Sequence, residues 1–73
     1  MTKTQHFGRM VRERREALGL SIEKAAELCG MSCKGLGKIE LGESNPNLLS
    51  VLNISAALAI DLRELHSSVP TLN

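Results

Sequence analysis

Apolar residues in this chain recur at spacings of three and four, and no useful stretch alternates with period two, so the pattern predicts helices throughout. Phe7, Val11 and Leu18 fall on one stripe, while Arg9, Arg12, Glu13 and Glu16 point elsewhere, which predicts a first helix over residues 5–18. Gly19 supplies its stop. Ser21 stands where an N-cap belongs for a second helix over 22–29, and Gly30 ends that helix after two turns. Ser32 can cap a third helix over 33–41, ending before Gly42. Ser44, Asn45, Pro46 and Asn47 make a turn, and Asn47 is placed to cap a fourth helix running through Leu58. Asp61, followed three residues later by Glu64, resembles a capping box opening a fifth helix over 62–66. The expectation is an all-α bundle of five short helices in a single domain, with its core within about residues 5–66 and a frayed tail over 67–73.

Size and composition narrow the function classes. A chain of 73 residues leaves room for one domain, which buries only about 60% of its unfolded surface. With 42% apolar and 23% charged residues it reads as globular. Phe7 is the single aromatic, so no stacking platform for single-stranded nucleic acid is available. A net charge of +1 predicts no partner by itself, and polyanion binding must come from local clustering. Cys29 and Cys33 are too few for a secreted disulfide framework, no signal-like N-terminus is present, and the apolar stretch over 48–60 is too short to span a bilayer. A soluble, cytoplasmic protein is expected. His6 and His66 lack finger-like spacing with the cysteines, and no nucleophile with its base or phosphate-cradling loop is present. Neither a metal nor a cofactor nor enzymatic activity is expected.

The informative unit spans residues 22–41, two short helices joined by a glycine turn. Steeply crossing helices need small residues where they approach closely and apolar anchors along the seam. Ala25, Ala26 and Cys29 provide the first side of that seam, Met31 plugs the turn, and Leu36 and Ile39 provide the second. With Phe7-Gly8, Arg15, Gly19-Leu20-Ser21, Gly30-Met31-Ser32, Ile39-Glu40, Gly42, Asn45-Pro46, Leu58 and Leu62-Arg63-Glu64-Leu65, the chain resembles, over nearly its whole length, the Cro/repressor-type (Xre) helix-turn-helix DNA-binding regulators. The resemblance implies a lambda-repressor-like domain with the helix-turn-helix at helices 2 and 3. It also implies that helix 3 enters the major groove, with Ser32, Cys33, Lys34, Gly37 and Lys38 on the DNA-facing side. A buried ion pair between Arg15 and Glu40 is implied as well.

The exposed face of helix 3 breaks the rules of stability in a way that suits DNA. Lys34 and Lys38 stand four apart on one face, and like charges at that spacing weaken a helix by a few tenths of a kcal/mol. Gly35 and Gly37 cost roughly 1 kcal/mol each relative to Ala. Such violations gather at functional sites, and a face stripped of side chains lets a helix approach a phosphate chain. Arg9 and Arg12 are weaker candidates for backbone contacts. The chain departs from the family pattern at three positions. Ile22 replaces a Gln that touches the DNA backbone, Leu41 replaces a polar residue, and Arg14 stands where Leu is preferred, its aliphatic stem expected on the core and its guanidinium in water. The face also lacks Gln, Asn and Arg, the bidentate readers of bases, so base readout should lean on the lysines. Cys29 reads as a small core residue. Cys33, at a helix N-terminus beside Lys34, is either a small residue near DNA or a redox-sensitive thiol.

Helix 4 is apolar nearly all round. Leu48, Val51, Leu52, Ser55 and Leu58 are expected to face the core, leaving Leu49, Ile54 and Ala56 for a second burial, most simply against another copy of the chain. A twofold homodimer would present two recognition helices to successive major grooves of a near-palindromic site. These features predict a DNA-binding transcriptional regulator, a repressor or autoregulator of a phage, plasmid or mobile-element operon, or a restriction-modification controller. The alternative is a helix-turn-helix module kept for protein contact, such as the partner-binding part of an antitoxin or a regulatory subunit.

Overall fold

A computed structural model describes residues 2–63 of the chain. Four helices lie within them: α1 (Lys3–Ala17), α2 (Ile22–Cys29), α3 (Cys33–Glu40) and α4 (Leu48–Leu58). Each begins on a side-chain cap of the kind its sequence suggests. Oxygens of Thr2, Ser21, Ser32 and Asn47 accept from the backbone N–H three residues on, at 3.0, 3.1, 3.0 and 2.8 Å. Each such cap contributes about 1 kcal/mol. At α1 the arrangement is reciprocal, because Gln5 Oε1 accepts from the Thr2 backbone N–H at 3.0 Å. That capping box starts the helix two residues before the expected position.

The fifth helix is not part of the described architecture. The chain becomes helical at Leu62 and Arg63, whereas residues 64–66, the Glu64 half of the expected capping box and the tail over 67–73 lie outside the described residues. Asp61 Oδ1 accepts from the Arg63 backbone N–H at 2.9 Å. No described helix is long and apolar enough to cross a membrane.

The core consists of Phe7, Met10 and Val11 from α1, Ala25, Ala26 and Cys29 from α2, Leu36 and Ile39 from α3, and Ile54 and Leu58 from α4. The seam expected between α2 and α3 is therefore in place, with Met31 packed against it. Both α1 and α2 pack on α3 and on α4. Thus α3 is supported from two sides by helices and turns its other face outward.

Two expectations about the core are corrected. Leu18 is 44% exposed, because α1 ends at Ala17 and Leu18 is the C-cap from which the chain turns away; Met10 fills the stripe instead. On α4, Leu48 and Leu52 are 73% and 49% exposed, while Ile54 is fully buried. The inward row runs through Val51, Ile54, Ser55 and Leu58, spaced three, four and seven apart as one helical face requires. Ile54 therefore belongs to the protein's own core and does not lie on a surface available to a second copy. Leu49, 66% exposed, and Ala56 do remain outside, now joined by Leu48 and Leu52.

Candidate nucleic-acid interface

The turn that aims α3 is built from residues 29–32. Gly30 caps α2 in the left-handed conformation at φ 70°, which an L side chain rarely adopts. Its N–H donates to Glu27 O at 3.1 Å, and the next, of Met31, donates to Ala26 O at 3.0 Å. The chain thus leaves α2 abruptly and restarts one residue after Met31, where the Ser32 cap holds the first turn of α3. A Cβ on Gly35 would stand 3.0 Å from the Ser32 oxygen and crowd that cap, which accounts for one of the two glycines in α3.

The other end of α3 is fixed from α1. Arg15 Nε donates to Glu40 Oε2 at 2.7 Å and Nη2 donates to Oε1 at 3.1 Å, a two-pronged pair joining α1 to the last residue of α3. The remaining prong, Nη1, donates to Leu20 O at 2.9 Å. The side chains are only 16% and 6% exposed. Hydrogen bonding to Glu40, and after it the attraction of that carboxylate, holds the guanidinium charged more firmly than usual against the opposing effect of burial. Close by, Gly8 lies against the same end of α3. A Cβ there would collide with the Ile39 carbonyl oxygen and stand 3.0 Å from that of Glu40. In the sequence Gly8 enters only as part of the family resemblance, since a glycine inside a helix does not say which neighbour approaches it.

Ser32, Cys33, Lys34 and Lys38 are all exposed, and Gly37 is half-buried, so the residues assigned to the recognition face are brought together on α3. What marks the two lysines is the lack of an ion-pair partner among the described residues. Of the nine lysines and arginines in the chain, Arg9, Arg12, Arg15, Lys24 and Arg63 are paired with carboxylates. Arg14 Nε donates to Leu58 O at 2.8 Å. Lys34 and Lys38, with Lys3, have no ion-pair partner among the described residues. Two lysines one helical turn apart thus project from a capped helix with no carboxylate among the described residues to answer them.

Arg9 and Arg12 are placed differently. They lie on the side of α1 away from Phe7 and Val11, paired with Glu13 at 3.5 Å and Glu16 at 3.2 Å. Arg14 does not simply extend into water as its sequence context suggested. It reaches the last carbonyl of α4, where a cation also meets the negative end of the helix dipole. Ile22 is half-buried and packs on the core from the start of α2. Leu41, at the C-cap of α3, is 63% exposed. Cys33 is exposed, whereas Cys29 is buried, and burial pushes its thiol pKa up.

This geometry agrees with the chain's known relatives. A helix-turn-helix family model matches residues 11–65. An HTH-type transcriptional regulatory protein of Methanocaldococcus jannaschii is 38% identical over 55 residues, which cover 75% of this chain and 17% of that protein. The chain therefore spans about a sixth of that relative's length. Among solved structures, the restriction-modification controller protein C.AhdI from Aeromonas hydrophila superposes with a TM-score of 0.76 at 40% identity, over 85% of this chain and 90% of that one. The described helices, the glycine turn and the outward-facing third helix are those of an Xre-type helix-turn-helix protein, and the chain belongs to that family.

Proposed function

We infer that this DNA-binding transcriptional regulator acts as a homodimer, placing α3 of each subunit in the major groove of a near-palindromic operator. The observation that carries the assignment of α3 is the pair Lys34 and Lys38, exposed together and unanswered by any carboxylate among the described residues. Lys34 and Lys38 supply charge and base contact, with Ser32, Cys33 and Gly37 as the surface between. Arg9 and Arg12 are secondary backbone contacts, since each must first release the glutamate it holds.

The dimer reading rests on α4. Leu48, Leu49, Leu52 and Ala56 form a continuous exposed apolar stripe of the kind a second copy covers. A twofold arrangement would set the recognition helices roughly 34 Å apart, one turn of duplex. The likeness to C.AhdI favours, among mobile-element roles, control of a restriction-modification operon, most simply the regulator's own promoter.

Selection of bound sequences from a random duplex pool, followed by a salt titration on the selected site, tests the reading. Enrichment of an inverted repeat and a steep fall of affinity with salt are expected. A second reading, a helix-turn-helix module that holds a protein partner, draws on Leu28 and Leu41, which are 50% and 63% exposed and lie outside the α4 stripe. Failure to enrich any duplex, together with stable co-purification of a partner, would favour it.

A further inference from the structure

Gly37 is a glycine for which the protein's interior has no use. Its φ is not positive, unlike those of Gly19, Gly30 and Gly42, and the nearest atom to a Cβ built there is Ile22 Cδ1 at 3.8 Å, an ordinary contact. An alanine would fit, and a glycine within a helix weakens it. The missing side chain therefore changes what the outer surface of α3 offers. Beneath the gap lies the end of Ile22, reaching from the first position of α2 across to α3. Lys34 precedes Gly37 by three residues, one turn along the same side of α3, so a lysine neighbours the apolar end.

We propose that Ile22 and Gly37 together form an apolar notch that receives the C5-methyl group of a pyrimidine, thymine in unmodified DNA, and so determine specificity at one position of each half-site. In the major groove that methyl is the apolar feature among the hydrogen-bonding base edges. The face has no Gln, Asn or Arg, so beside the lysines, which can reach guanine, a methyl contact is the discriminating interaction left to its chemistry. An isoleucine here cannot hydrogen-bond a phosphate, and the gap at Gly37 lets a base edge approach it. The proposal rests on the placement of α3 in the major groove argued above.

The test uses the full chain and a duplex selected from a random pool. Each thymine is replaced in turn by uracil, which removes only the methyl, and each cytosine by 5-methylcytosine, which adds it. For the wild-type protein, uracil at one position per half-site should weaken binding about three- to fourfold, the effect of one buried methyl-sized group. If the selected base there is cytosine, its methylation should strengthen binding by a similar factor. Ile22→Ala should bind without this discrimination. Gly37→Ala, whose added Cβ meets only an ordinary contact, should fold as the wild type does and also lose it; circular dichroism and thermal unfolding establish that both variants are folded. Salt-dependent binding that is indifferent to the methyl at every pyrimidine would overturn the notch, as would discrimination that survives in both variants. If no duplex is selected at all, it is the placement of α3 that fails, and the notch falls with it.

Discussion

Arg15 and Glu40, 25 residues apart, meet through two parallel hydrogen bonds of 2.7 and 3.1 Å, and the same guanidinium holds the Leu20 carbonyl. One side chain thereby ties the end of α3 and the α1–α2 turn to α1. Removing either partner leaves a largely buried charge unanswered, at a cost of about 3 kcal/mol. Against a total stability on the order of 4–10 kcal/mol for a chain of this size, that is a large fraction. Arg15→Ala and Glu40→Ala should each shift the urea midpoint accordingly, while Arg15→Lys, which keeps the charge and loses the fork, should lie between them and the wild type. Losses below 1 kcal/mol in both alanine variants would show that the pair is a minor contributor.

Replacing Lys34 and Lys38 together by Ala should abolish detectable duplex binding in a gel-shift titration. Helical content should be unchanged, because neither ammonium group has an ion-pair partner among the described residues. Each lysine singly replaced should flatten the dependence of log affinity on log salt by about one. Unaltered affinity of the double variant would remove α3 from the interface.

The apolar rows of α4 predict opposite outcomes for neighbouring residues. Leu49→Asp or Ala56→Asp should convert a dimer to a folded monomer, seen by sedimentation. Ile54→Ala, in the fully buried row, should cost about 2–4 kcal/mol of stability. A dimer that survives both aspartates would place its interface elsewhere.

Ala59 caps α4 at φ 57°, the one non-glycine described residue in the left-handed region. Ala59→Gly should relieve that strain and, after the added freedom of the unfolded chain, raise stability by about 0.5–1 kcal/mol in denaturant titrations. A lower midpoint would mean that the Ala59 methyl contributes packing worth more than the strain.

The two cysteines should separate in alkylation. Cys33 is exposed and should react readily with iodoacetamide, whereas Cys29, buried and with its thiol held protonated by that burial, should react only on unfolding. Bound duplex should protect Cys33, as read by mass spectrometry. Equal labelling with and without DNA would argue against its place in the groove.

Much of this was legible in the sequence because capping and turn residues act locally. Ser21, Ser32, Asn47 and Gly30 mark boundaries by their own chemistry, and the Ala25-Ala26 seam needs only helical spacing to be found. The Thr2–Gln5 capping box carries the same kind of signal, two residues ahead of the start expected at Gln5. The register of α4 was harder to read. A helix with apolar residues on most sides gives no polar face from which to infer the buried one, and Ser55 was buried while Leu48 and Leu52 were left outside. Apart from the Arg15–Glu40 pair, which the family resemblance implies, long-range ties are hidden for another reason. That Arg14 would end on the Leu58 carbonyl, or that Gly8 would lie against Ile39, depends on how helices cross, which spacing along one helix does not encode.

The contact at Gly8 limits how the protein can adapt. No methyl group fits between α1 and the final carbonyls of α3, so the joint has no slack. In the proposed complex, a helix seated that closely has little room to pivot toward an imperfect operator. Accommodation would then fall to the duplex, whose readiness to bend depends on bases the protein never touches. Operators of such a regulator would be ranked partly by their stiffness.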